Sequence, residues 1–450
     1  MAESTQYVIK ELKIITKNGT EVDIINLFEE INIFDTILFP VISGQILMTD
    51  AIGLSGLLLF DGSEGLLMHI KKSDLTDDNS FKKSFKIYKQ TNRSNITPQS
   101  EQYILHFVSD EFLFSEQQRV NQHYQNTYSE IAMNILRNYL LTSENRMPIW
   151  KEQLTGNGFY TKSFGLKNVV IPNLKPIEAI QWCCKRAVDN LQAPDFLFFE
   201  NYKGFNFASL SDMITKEAVS KVKYETKNIK GETPGQEMEG ARSFEVITQT
   251  DFLQRTKSGV NAGKFVGFDP ITKKIQETNI SYNDWYEKTR NPNAKPNYSI
   301  IENRDGSTNL NNYNSRKTVS LFTTARKNSK YIQSHEPFSL TTDENQNDFL
   351  FQRKSIIENL LSKRLKVVMP GNFFLSSGFN VDVDVPYLGA KSSDVSNKDI
   401  SITGKYLIIA SRHVIGLEKF ETIIETATTS NDFDFIASNN NQQVQEIEDY

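Results

Sequence analysis

Residues Phe379 to Val385 read Phe-Asn-Val-Asp-Val-Asp-Val, apolar and polar side chains in unbroken alternation. Successive side chains of a strand point to opposite faces, whereas a helix groups every third or fourth residue, so this pattern specifies a half-buried strand. Related signals recur along the chain. Tyr7–Lys10 and Lys13–Thr16 precede Lys17-Asn18-Gly19-Thr20. Asn-Gly tolerates the positive φ that a tight hairpin turn demands, so a hairpin is expected here. Strands are then expected at Ile31–Phe39, Val41–Met48, Leu66–Lys71, Phe81–Thr91 and Gln102–Ser109, punctuated by Asp61-Gly62 and Asp77-Asp78-Asn79. Residues 1–113 thus read as a compact, barrel-like β domain.

From residue 114 to 235 the pattern changes to α+β. Thr127-Tyr128-Ser129-Glu130 is a capping box ahead of Ile131, Ala132, Ile135, Leu136 and Tyr139 at helical spacing. A second helix is expected to start at Pro176, whose missing N–H costs nothing in a first turn. Phe196–Glu200 and Phe205–Ala208, around Asn201-Tyr202-Lys203-Gly204, read as an aromatic hairpin. Strands resume at Arg242–Thr250, at Gly263–Asp269 paired with Lys273–Thr278, and at Leu365–Met369, Phe379–Val385, Tyr406–Ile415 and Lys419–Thr428. A helix carrying Phe349, Ile356, Ile357, Leu360 and Leu361 is expected after Thr341-Thr342-Asp343-Glu344. A second barrel-like β domain therefore spans 236–282 and 341–430. Residues 283–340, rich in Asn, Lys, Ser and Pro, form an inserted polar excursion, because so long a structureless loop within one domain is unusual. The fold class is α+β and β-rich, ending in a flexible acidic tail at 431–450.

Charge and composition narrow the function. The net charge is −5, and Asp432, Asp434, Glu446, Glu448 and Asp449 in the last twenty residues carry all of it, so residues 1–430 are neutral. A dedicated nucleic-acid binder takes its affinity from phosphate neutralisation and would be basic. The longest apolar stretch, Ile52 to Phe60, is broken by Gly53, Ser55 and Gly56 and falls far short of the roughly 18–20 residues of a membrane span, so no membrane insertion is expected. Met1-Ala2-Glu3-Ser4-Thr5 lacks the basic start and apolar core of a secretory signal. The only cysteines, Cys183 and Cys184, are adjacent, which suits neither a relaxed bridge nor a zinc site and points to a reducing cytoplasm. His69, His106, His123, His335 and His413 stand in no metal or nucleophile spacing, and neither cofactor nor catalytic residue is expected.

A set of local phrases carries a resemblance. Phe85–Tyr88 goes with Tyr103–Phe112, and the helix phrase Thr127–Leu141 is followed by Ile171–Pro176 leading into Ala179–Trp182. Phe196–Asn201 with Gly204-Phe205, Phe268–Lys274, Val368–Asn372 and Gly404–Ile408 complete it. Over about residues 1–430 the chain resembles the baseplate hub family of T-even-type contractile phages, related in fold to the first part of type VI secretion spike proteins. The resemblance implies a non-enzymatic homotrimer in the virion's tail baseplate, assembled from chains made in the host cytoplasm. Two tube domains per chain would present a pseudo-sixfold face to the tail tube protein and a threefold face to the central spike protein. Baseplate wedge proteins would be further neighbours, and DNA would pass through the channel only transiently.

The alternating strand places Asn380, Asp382 and Asp384 on one face. That face is either an ordinary solvated surface or a channel-facing acidic strip that repels phosphate; a cation site or acid/base pair is a third reading. In the tail, Phe433, Phe435 and Ile436 are candidate anchors on a partner. Two other function classes have partial signals. A cell-wall hydrolase of the phage lysozyme type needs a Glu and an Asp nine positions on, and Glu425 with Asp434 meets that spacing, but Asn440 stands where a Thr is needed. A carbohydrate-binding module could use the aromatic hairpin at Phe196–Phe207.

Overall fold

In a computed structural model, the described residues are 7–58, 60–72, 80–141, 159–190, 193–224, 240–249, 253, 257, 259, 262–269, 273–281, 295–296, 316–321, 346–386, 399, 401–417, 419–428 and 430–431. The chain opens with β1 (Tyr7–Ile15), β2 (Glu21–Asp23), β3 (Phe28–Thr36), β4 (Ser43–Asp50), the short helix α1 (Leu54–Leu57), β5 (Gly65–Lys72), β6 (Phe81–Thr97) and β7 (Ser100–Ser109). Between β1 and β2, Gly19 has φ +81° in the turn that Asn18-Gly19 marks. These strands pair in the order β1-β5-β6-β7-β4-β3, each with its neighbour antiparallel, and β2 hangs off β1. Leu12 and Ile14 of β1 share one core with Ile31 and Ile33 of β3, so the ladder wraps round until its first and last strands face the same interior.

The middle of the chain holds α2 (Asp110–Gln117), β8 (His123–Asn126), α3 (Tyr128–Ile135), β9 (Lys167–Val170), α4 (Pro176–Cys184), β10 (Phe196–Asn201), β11 (Gly204–Ser209) and α5 (Leu210–Thr215). Thr127 caps α3 by accepting the Glu130 N–H at 3.3 Å, and Pro176 is the first residue of α4. Every residue of β10 is buried. Alternation sends Phe196 and Phe198 into the core of this region and Leu197 and Phe199 into a second core shared with Leu407 and Ile409. A strand covered on both faces reads as a continuous apolar run, and Phe-Leu-Phe-Phe is that run.

The remaining elements are β12 (Ala218–Lys223), β13 (Ser243–Thr248), β14 (Ala262–Asp269), β15 (Lys274–Ser281), β16 (Lys295–Pro296), β17 (Arg316–Leu321), α6 (Gln346–Leu360), β18 (Lys363–Pro370), β19 (Asn380–Asp384), β20 (Gly404–Gly416), β21 (Phe420–Thr428) and β22 (Ser430–Asn431). Six of them pair in the order β12-β19-β20-β21-β18-β13, and the Ala241 N–H donates to Lys223 O at 2.7 Å, tying one end to the other. Taken in chain order, the strands of both ladders stand as first, fourth, fifth, sixth, third, second. Register repeats too. Ile87 faces Phe107 and Lys89 faces His106 across an irregularity, just as Ile408 faces Thr426 and Ala410 faces Glu425 across another. The ladders differ at one end, where β1 is antiparallel to β5 but β12 is parallel to β19.

The two ladders are one sheet. β3 pairs antiparallel with β20 from Thr36 opposite Ala410 to Glu30 opposite Gly416. Among the described residues the hairpin β14–β15 is not hydrogen-bonded into this sheet; it forms a separate three-stranded sheet with β17, which joins β14 in parallel. The polar excursion thus contains at least one strand, Arg316–Leu321, rather than loop alone.

Candidate assembly interface

The strand Asn380–Asp384 lies where its alternation predicts, with Val381, Val383 and Val385 buried. Asn380 departs from expectation. It is 1% exposed, and its Nδ2 donates to the carbonyls of Met213 (2.7 Å), Lys216 (2.8 Å) and Ile214 (3.3 Å). These carbonyls lie at the C-terminus of α5, where a helix leaves its last acceptors short of N–H donors; Met213 O also takes the Lys216 N–H at 3.2 Å, so Asn380 caps α5 and is covered within the chain. Asp382 and Asp384 are half-buried. Their face is not purely acidic, because Asp382 stands opposite both Lys221 and Lys405, and Asp384 opposite Lys223. Directly opposed residues of a sheet share a face. Those lysines come from neighbouring strands β12 and β20, remote from Asp382 and Asp384 in sequence.

The junction between β3 and β20 holds a buried polar cluster that sequence reasoning missed. Asp35, 4% exposed, accepts the Ser376 hydroxyl at 2.5 Å and the Ser377 N–H at 2.8 Å. His413, 1% exposed, lies 3.2 Å from the Ser411 hydroxyl through Nε2 and 3.0 Å from that of Thr422 through Nδ1. Burial depresses the His413 pKa to about 3 and raises that of Asp35. The imidazole is therefore neutral at physiological pH, and its 3.9 Å approach to Asp35 is no ion pair. A Ser, a His and an Asp meet here, but all are sealed from solvent, which leaves a substrate no approach; the cluster fixes the junction. His106 and His69 are also partnered, by Thr91 (2.8 Å) and Ser80 (3.1 Å).

A second buried anchor joins β10 to the N-terminal ladder. Glu200 is fully buried, accepts the Ile42 N–H (2.9 Å) and the Ser109 hydroxyl (2.6 Å), and pairs with Lys83. Its only sequence signal is an acid at the end of an apolar run.

The alternative chemistries find little to build on. Glu425 lies on β21 in an ion pair with Arg364 at 3.0 Å, and Asp434 lies outside the described residues. Phe196, Phe198, Phe199 and Phe207 are core, so the hairpin offers no aromatic platform. Cys183 and Cys184 are buried thiols on α4. Among the described residues no group of three or more His, Cys, Asp or Glu could hold a metal, and no helix is long and apolar enough to cross a membrane. Phe433, Phe435 and Ile436 lie outside the described residues, as does most of 283–340.

No protein-family model matches the chain, and no curated protein matches its sequence. Solved structures do. A tail protein from Neisseria meningitidis MC58 aligns over 95% of this chain and 98% of its own, with a TM-score of 0.50 at 10% identity. The chain thus has a β-rich tail-protein fold. The 43 kDa tail protein of prophage MuSo2 from Shewanella oneidensis covers 93% of this chain and 98% of its own (TM-score 0.49, 9% identity). The prophage tail protein gp18 of Listeria monocytogenes EGD-e covers 98% and 100% (TM-score 0.43, 8% identity).

Proposed function

We propose that the chain is the structural hub of a contractile phage-tail baseplate, a trimeric adaptor that joins a sixfold tail tube to a threefold central spike and acts through geometry rather than catalysis. The repeated strand order carries this reading. A chain that builds one strand ladder twice and fuses the copies edge to edge supplies two similar units in one rigid sheet. Three such chains supply six, so a single ring can meet sixfold symmetry on one side and threefold on the other. The tube domains are residues 1–113 and the β12–β13, β18–β21 ladder, each wrapped as a barrel, with 114–217 as the middle domain, because β12 at Ala218–Lys223 pairs into the second ladder. The separate sheet of β14, β15 and β17 favours extending the polar excursion to include residues 262–281, where it would meet wedge proteins. The tail at 431–450 would anchor on a neighbour through Phe433, Phe435 and Ile436. Asp382 and Asp384 would face the bore as part of a mixed-charge lining with Lys221, Lys223 and Lys405. That lining would neither hold DNA nor repel it strongly during transit.

The test is the symmetry of this chain in the assembled particle. Threefold density with two ladder units per copy is expected; a single copy, or six, would overturn the reading.

A further inference from the structure

We infer that copies of the chain join by strand addition, β13 of one copy pairing antiparallel with the outer half of β6 in the next. This rests on the ring proposed above and names the contact that closes it.

Within the chain, β20 has two successive partners on one side: β19 along Gly404–Leu407, then β3 along Ala410–Gly416. β6 holds the same place in the N-terminal ladder. β5 covers Phe81–Lys86, but along Lys89–Thr97 that side of β6 has no strand among the described residues. β3 and β13 are likewise equivalent. The outer edge of β3 is taken by β20, while β13 pairs, among the described residues, only with β18. Each chain therefore contains one completed junction and the two separated halves of a second.

The completed junction supplies the register. Arg412 stands opposite Phe34, and Ile415 opposite Ile31. Through the matching ladder pairs, Thr91 takes the place of Arg412 and Thr248 that of Phe34, while Asn95 and Phe244 replace Ile415 and Ile31. The new junction thus sets Thr91 opposite Thr248 and Asn95 opposite Phe244. The chemistry of both edges suits it. β13 alternates exposed and half-buried residues, with Ile247 39% exposed. The side chain of its acid, Glu245, is 67% exposed, and that of Arg93, the base on the facing stretch of β6, is 50% exposed. Unpaired strand edges with apolar side chains bind other strands readily, and a protein manages them by covering them.

The experiment is oxidative cross-linking of the full chain carrying Thr91→Cys and Thr248→Cys, with each single substitution and an Ile52→Cys/Thr248→Cys pair as controls. The native thiols, Cys183 and Cys184, are 0% and 2% exposed and do not compete. The double variant is expected to run on a denaturing, non-reducing gel at three times the 51.5 kDa chain mass, and the controls at one. If mass photometry finds trimers whose chains stay unlinked, strand addition is wrong while the hub reading stands. Monomers both in solution and in the assembled particle overturn both. A ladder of products running past three chains supports the strand pairing and overturns the trimeric ring.

Discussion

The two ladders share a strand order and a register, yet they pack their interiors in opposite ways. At one repeated position the N-terminal ladder sets Gly44 opposite Phe107, and the C-terminal ladder sets Leu365 opposite Thr426. A Cβ on Gly44 would lie 2.3 Å from both the Phe107 ring and Asn32 O, so the large residue sits on one strand in the first ladder and on its neighbour in the second. At another repeated position the N-terminal ladder sets two acids, Asp50 and Glu101, opposite each other, where the C-terminal ladder has Gly371 beneath the ring of Phe420, which a Cβ on Gly371 would meet at 2.0 Å. Strand order depends on where the backbone hydrogen bonds go, whereas packing needs only total volume to be conserved. The second can drift while the first holds.

The ladders also differ in how they are secured, and three tests probe the difference. The largest effect is expected for Glu200→Ala, which removes the buried acid tying β10 to the N-terminal ladder. It strands the Lys83 ammonium and the Ile42 N–H, at a cost of about 3–5 kcal/mol read from the urea midpoint; a change near zero would mean that this anchor holds nothing. Next come the repeated packing positions. Leu365→Ala should lose about 2–5 kcal/mol through a cavity, and Gly44→Ala about 1–3 kcal/mol through crowding. A neutral Gly44→Ala would show that the two positions are not structural equivalents.

The third is a slope with pH. His413 is held neutral in the fold with a pKa of about 3, below its unfolded value of about 6.5. Its contribution is present above pH 6.5 and is lost as pH falls towards 3, by up to roughly 4 kcal/mol. The groups facing it are the Ser411 and Thr422 hydroxyls, the Asp35 carboxyl and the rings of Phe373 and Phe420. Asp35, with its pKa raised, slopes the opposite way. The contrast with His413→Gln isolates the imidazole: stability measured from pH 7 to pH 4 should fall less steeply in the variant, and parallel curves would refute the assignment.

Much of the secondary structure was legible because its signals are local. The Thr127 cap, Pro176, the Asn18-Gly19 turn and the Phe379–Val385 alternation each act within a few residues, although the Thr127 N–H is taken by Asn126 Oδ1 and not by Glu130. Strand β6 was read as ending at Thr91 because its last six residues, Asn92 to Thr97, are mostly polar; in the fold they continue as an exposed hairpin arm. Alternation correctly grouped Asn380 with Asp382 and Asp384 but could not say what covers each, and the C-terminus of α5 covers Asn380 alone. The Asp35–His413 cluster and the lysines around Asp382 come together only through pairing between distant strands. The repeat itself was hidden because equivalent positions hold residues as unlike as Gly44 and Leu365.

The β3–β20 junction sets a timetable for biosynthesis. Its residues lie hundreds of positions apart, 373 for Thr36 and Ile409 and 380 for Asn32 and Arg412. At about 5–20 residues per second, the N-terminal ladder, complete at Ser109, leaves the ribosome roughly 15–60 s before its partner strand at Gly404–Gly416 exists. Through that interval the edge of β3 stands open beside the emerging chains of the same polysome, each carrying an identical edge. The nascent chain therefore has to be kept from its siblings, by a chaperone or by slow local collapse, for about as long as it takes to finish synthesis.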